Sequence, residues 1–122
     1  MPFNIEYDTD EDIIVSTFIG EITMTVVKEY LAALLPVLEE TRCRKLLSDS
    51  RNGELKLSSI DILNFPKIAK ASPLTENLKR AVLTKPGMSG YELYESISMT
   101  HGQNVKLFKT RAEAIAWLQA DH

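Results

Sequence analysis

The apolar positions from Leu78 to Leu118 read as strand, helix, strand, helix: Arg80 to Thr84, Ser89 to about Thr100, Asn104 to Phe108 and Thr110 to Gln119. Each of these helices opens on a hydroxyl followed by a carboxylate at capping-box spacing, Ser89 with Glu92 and Thr110 with Glu113, so the two side chains can satisfy orphan amides of the first turn. Gly102 stands where a helix terminator belongs. Nearer the amino terminus, Phe3, Ile5 and Tyr7 alternate with polar neighbours, and Ile13 to Ile19 is a β-branched run behind the acidic turn Asp8 to Asp12. This predicts an antiparallel hairpin that ends at Gly20.

Thr23 or Thr25 then caps a helix whose apolar positions Val27, Tyr30, Leu31, Leu34, Leu35 and Leu38 share one face, with Pro36 predicting a kink or loosened turn. Lys45 to Asp49 reads as a short third strand and Arg51, Asn52 and Gly53 as turn chemistry. Ser58 or Ser59 caps a second helix carrying Ile62, Leu63 and Phe65, which Pro66 ends or divides, and Ser72 to Asn77 is a loop. The order is β, β, α, β, α, β, α, β, α. It predicts an α/β fold with a mixed, mainly parallel five-stranded sheet flanked by four or five helices, the opening hairpin adding one antiparallel edge.

Length and charge narrow the function. A chain of 122 residues is one domain, 1–122, by size. Its 14 basic and 17 acidic side chains are scattered without a dense run, which argues against nucleic acid as a partner. The lone cysteine, Cys43, excludes an intrachain disulfide and points to the cytoplasm, as does the acidic start without a signal-peptide pattern. The apolar stretch from Tyr30 to Leu38 is interrupted by Pro36 and falls short of the ~20 residues of a membrane span.

Candidate chemistry is sparse. Arg42 and Arg44 beside Cys43 would lower its thiol pKa, but no local argument brings a histidine near it, and a half-buried structural role is expected. His101 sits where a helix C-terminus favours a protonated imidazole, and His122 is terminal. The cluster Asp8, Asp10, Glu11 and Asp12 lacks the spacing of a calcium loop, so no metal site and no cofactor are expected. The turn from Lys85 through Pro86, Gly87 and Met88 to Gly90 offers helix amides to an anion without the Walker pair of a nucleotide site. Tyr91, Tyr94 and Trp117 either pack the last two helices on the sheet or line a small apolar pocket or partner groove between them. The carboxyl ends of the strands, with Asp49, Ser50, Thr84 to Gly87 and Lys109 to Thr110, are the expected ligand edge.

The element order over essentially the whole chain resembles the STAS fold of anti-sigma-factor antagonists, and in particular the SpoIIAA-like family of small bacterial proteins. The resemblance rests on Asp12 to Gly20 (DIIVSTFIG), the helix beginning at Thr23, Lys45 to Ser50 (KLLSDS), Lys79 to Thr84 (KRAVLT) and Val105 to Leu118 (VKLFKTRAEAIAWL). Antagonists of this fold carry an Asp-Ser-Ser/Thr-Gly element after the third strand, its phosphorylated hydroxyl at the start of the second helix. The matching region here is Asp49, Ser50, Arg51, Asn52, Gly53 and, four residues on, Ser58 and Ser59, so the element is not intact.

The resemblance and the lack of a nucleophile, base or metal set imply a non-enzymatic bacterial binding module that recognises a protein partner or a small apolar or anionic ligand. One alternative is an antagonist switched by phosphorylation at Ser58 or Ser59. Another is an enzyme acting on a small substrate through residues converging from distant positions. The edge strand Phe3 to Tyr7 also suggests a homodimer, with the aromatic residues of the last two helices in or beside its interface.

Overall fold

A computed structural model of the chain describes residues 2–70 and 77–120. It contains strands β1 (Phe3–Asp8), β2 (Ile13–Ile22), β3 (Lys45–Leu55), β4 (Lys79–Leu83) and β5 (Asn104–Phe108). The helices are α1 (Met24–Thr41), α2 (Ser59–Lys70), α3 (Tyr91–Thr100) and α4 (Arg111–Gln119). The five strands form one sheet in chain order, β1-β2-β3-β4-β5, with β1 antiparallel to β2 and every later pair parallel. The strand order never reverses, so right-handed crossovers carry α1, α2 and α3 over one face, and α4 alone packs on the other. Apolar cores therefore form on both faces, with a smaller cluster of Val82, Tyr91 and Val105 under α3. One main core joins Ile14, Phe18, Leu31, Leu34 and Leu46 with Phe65, and the other joins Leu47, Ala81 and Leu83 with Ala114 and Leu118.

Helix α1 follows the predicted stripe at Val27, Tyr30, Leu31, Leu34 and Leu38, all buried. Its cap is Thr23, whose hydroxyl accepts from the Val26 amide at 3.3 Å. Leu35 departs from the predicted face and is 42% exposed, because a five-position stripe already fills the arc that touches the sheet. The helix runs past Pro36 to Thr41.

In α2 the cap is Ser58. Its Oγ accepts from the Asp61 amide at 3.1 Å, and the Asp61 carboxylate accepts from the Ser58 amide at 3.2 Å, a reciprocal pair. Ser58→Ala is therefore expected to lower stability by about 1 kcal/mol, and Ser59→Ala, at an exposed position already inside the helix, by much less. Urea denaturation of the two variants checks this. Pro66 does not end α2, which continues to Lys70. The predicted loop from Ser72 lies outside the described residues apart from Asn77.

Three further expectations are corrected. Gly20 does not end β2. It stays in the strand with φ of 85°. Arg51, Asn52 and Gly53 are not a turn but the second half of an 11-residue strand, pairing with β2 beyond a bulge that opposes Asp49–Asn52 to Thr17–Ile19. The extra residue shifts the side-chain alternation, so Ser50 and Gly53 are both buried despite their odd separation. Ser89 likewise makes no cap on α3. Gly90 occupies that place with φ of 89°, so the Ser89–Glu92 pairing does not form, whereas Thr110 caps α4 by accepting from the Glu113 amide at 3.3 Å.

Candidate functional site

On the face covered by α1, α2 and α3, the sheet and helices leave a partly open cavity of about 90 Å³ between them. Its walls are mainly apolar: Phe18 and Ile22 from β2, Leu31 from α1, Leu46 and Leu55 from β3, Ile62 and Phe65 from α2, and Val82 from β4. Set into this lining are the polar groups of Tyr30, Ser48, Ser50, Arg80, Tyr91 and Tyr94. The two-residue period of the strands accounts for them, since Ser48 shares a face with Leu46, and Arg80 with Val82.

These groups are largely paired with each other. The Tyr30 hydroxyl lies 2.6 Å from Ser16 Oγ, and burial pushes its pKa up to about 12, tempered by the hydroxyls of Ser16 and Ser48. Tyr91 is buried, donates to the Gly53 carbonyl at 3.3 Å, and is likewise raised by burial. Tyr94 packs edge-on against Phe65 with ring centroids 5.1 Å apart, and its hydroxyl accepts from Arg80 Nη1 at 2.8 Å. Arg80, 2% exposed, also donates from Nη2 to Gln103 Oε1 at 2.7 Å.

Of the residues singled out from sequence, Ser50, Tyr91 and Tyr94 meet at this cavity. Asp49 does not, because it points to the opposite face of the sheet. There Arg51 binds its two carboxylate oxygens at 2.9 and 2.8 Å and holds its carboxyl below the usual range. Ser58 and Ser59 stand exposed at the start of α2. Gly87 is exposed beside a second, open hollow whose rim carries Lys85, Lys106 and Lys109 together with Glu92 and Glu95, a mixed charge poorly suited to an anion. Trp117 belongs to the α4 face, against Phe108 and over Lys79 Nζ, so the sheet separates it from the two tyrosines. A groove between α3 and α4 is thus ruled out by topology, and buried Tyr91 has no free surface to give an interface. Of the expected ligand edge at the strand ends, Thr84, Lys85, Gly87 and Lys109 line the second hollow, and Ser50 lines the cavity under the helices. A sheet whose strand order never reverses has no switch point where crossover helices diverge, and the more apolar of the two hollows lies under the helices.

The other candidates make local contacts. Cys43 is buried and its thiol donates to the carbonyls of Asp12 and Lys45 at 3.2 and 3.4 Å. Burial pushes its pKa up, opposite to the expected effect of Arg42 and Arg44. In the acidic turn, Asp8 accepts from the amides of Asp10 and Glu11, and Asp12 accepts from the Tyr7 hydroxyl at 2.7 Å, the bond that first raises Tyr7 to about 12. His101 turns its Nδ1 to the Ile97 carbonyl at 3.0 Å, at the end of α3. Among the described residues no group of three or more His, Cys, Asp or Glu is placed to hold a metal ion, and no helix is long and apolar enough to cross a membrane.

Sequence reasoning missed Ser16, Tyr30, Ser48 and Arg80. The signal was an inward position carrying a polar residue inside an apolar run, as in Lys79 to Thr84, where Arg80 and Val82 have the same parity.

No protein-family model matches the chain, and no curated protein matches it. Solved structures do. An uncharacterised protein of the DUF3478 family with a SpoIIAA-like fold from Shewanella loihica PV-4 aligns over 95% of this chain and 91% of its own, at 16% identity and a TM-score of 0.64. An anti-sigma factor antagonist from Mycobacterium paratuberculosis aligns over 97% and 95%, at 14% identity and 0.66. The unphosphorylated form of the anti-sigma factor antagonist SpoIIAA aligns over 98% and 99%, at 15% identity and 0.58. With its mixed five-stranded sheet and four helices, the chain has the SpoIIAA-like, or STAS, fold.

Proposed function

We propose that the chain is a non-enzymatic binding module whose small ligand enters the cavity between the sheet and helices α1, α2 and α3. The observation that supports this reading is the cavity's composition: an apolar lining interrupted by a few converging hydroxyls and one guanidinium, the pattern of a site that encloses a ligand and fixes its orientation. Bound ligand would brace α2 and α3, which meet along Phe65 and Tyr94, and so convert occupancy into a change at the exposed helix surface that a protein partner reads. Native mass spectrometry of the chain isolated from its own cells should reveal a noncovalent small-molecule adduct that is lost on denaturation. A bare chain, together with cavity methyl resonances unmoved by an apolar probe such as cyclopropane, would refute the reading.

A phosphorylation switch is the second reading. It draws support from Ser58 and Ser59 at the start of α2, where added negative charge is favoured by the helix amides, and from the antagonists that share the fold. Against Ser58 stands the Asp61 carboxylate already joined to it. A phosphate adduct in the intact mass, mapped to Ser59, would favour the switch.

A further inference from the structure

Among the described residues Arg80 is the buried one that carries a full charge, and none of them forms an ion pair with it. Its two hydrogen-bonded nitrogens meet a tyrosine hydroxyl and a glutamine carbonyl, both neutral, while Nε has no partner. The ion pairs formed among the described residues are Arg51 with Asp49 and Lys56 with Glu21 and Glu54, none of which involves Arg80. Taking a guanidinium out of water costs far more than two neutral hydrogen bonds return, so buried arginines are ordinarily matched by an anion. This one lines a cavity with room for a further group.

The cavity limits what that group can be. One cation in a wall whose other polar groups are neutral hydroxyls matches a single negative charge, whereas a phosphate dianion stripped of water would leave one charge unmatched. The volume of about 90 Å³ is well below the roughly 150 Å³ cavity that holds benzene. A few carbons beside the charged head fill it. Building on the reading of this cavity as a ligand site, we infer that Arg80 anchors the carboxylate of a short-chain monocarboxylic acid whose alkyl end lies against the apolar lining. Arg80 lines the cavity with donor capacity that its neutral partners do not use up, and the fork of the guanidinium matches the two carboxylate oxygens.

The test uses the full chain and methyl NMR at Leu46 and Val82, both in the cavity wall. Propionate should shift these resonances saturably. Propionamide, of the same shape without the charge, should bind at least about tenfold more weakly, the scale of a charge-assisted hydrogen bond, and inorganic phosphate should leave them unmoved. In Arg80→Met, propionate should fall to the level of propionamide. The comparison of propionate with propionamide on the unmodified chain does not depend on how that variant folds, and Arg80→Lys, which keeps the charge and loses the fork, should weaken propionate while preserving its preference over propionamide. Equal affinity for propionate and propionamide would overturn the anchor and leave the cavity reading standing. A response to neither would overturn the anchor and count against the cavity as a small-ligand site, and a response to phosphate equal to that of propionate would overturn the carboxylate class.

Discussion

Leu34→Ala is expected to lower the stability of the chain by about 2 to 5 kcal/mol, the range for truncating an enclosed core leucine. Leu34 is fully buried at the centre of the α1 stripe, among Phe18, Leu31, Leu46 and their neighbours, and a helix held by a sheet cannot collapse freely onto the space left behind. Leu35 provides the contrast. It is adjacent in sequence but 42% exposed, so Leu35→Ala should stay within about 0.5 kcal/mol of the parent. Urea denaturation of the two variants reads both values, and an unchanged midpoint for Leu34→Ala would contradict the placement of α1.

The second large effect has the opposite sign. Replacing Arg80 with methionine and Gln103 with leucine together should raise stability in the absence of ligand by about 1 to 4 kcal/mol, as when other buried charged groups are exchanged for apolar ones of similar volume. Both residues have to change, because Gln103 is itself buried and Arg80→Met alone would strand its carbonyl oxygen, at a cost of about 1 to 3 kcal/mol. Denaturation at neutral pH checks the prediction. A loss of similar size would show that the hydrogen bonds to Tyr94 and Gln103 outweigh the desolvation of the guanidinium. Added propionate should stabilise the parent chain and not the double variant, since a ligand stabilises only the state that binds it.

The parts of the fold that were legible in sequence are those set by local chemistry. The α1 stripe, the Thr110 cap and the strand run at Asn104 to Phe108 each follow from spacing within one element. The failures occur where distant contacts decide. Arg51, Asn52 and Gly53 have turn composition, yet pairing with Ile19 and Gly20 draws them into β3 through a bulge that no local rule signals. Ser89 has the right partner at the right spacing, but Gly90 takes the cap position with a left-handed backbone. The site was half visible for the same reason. Tyr91 and Tyr94 stand out on one helix, whereas their separation from Trp117 depends on which side of the sheet each crossover takes. Arg80 and Ser16 gain their meaning only when three helices close over the strands that carry them.

The agreement between chain order and strand order also bears on how the molecule assembles. Each strand from β2 to β5 can dock on the one laid down just before it, so the loops to be closed are short and the sheet can grow from the amino-terminal hairpin while later residues are still being synthesised. The exception is α4, which must return to the centre of the sheet to cover Leu47 and Ala81, and is tied there by Lys45 donating to Gln119 and Gln119 to the Glu11 carbonyl. Until α4 arrives, the growing sheet carries a bare apolar face at Leu47, Ala81 and Leu83, the kind of surface through which a nascent chain aggregates.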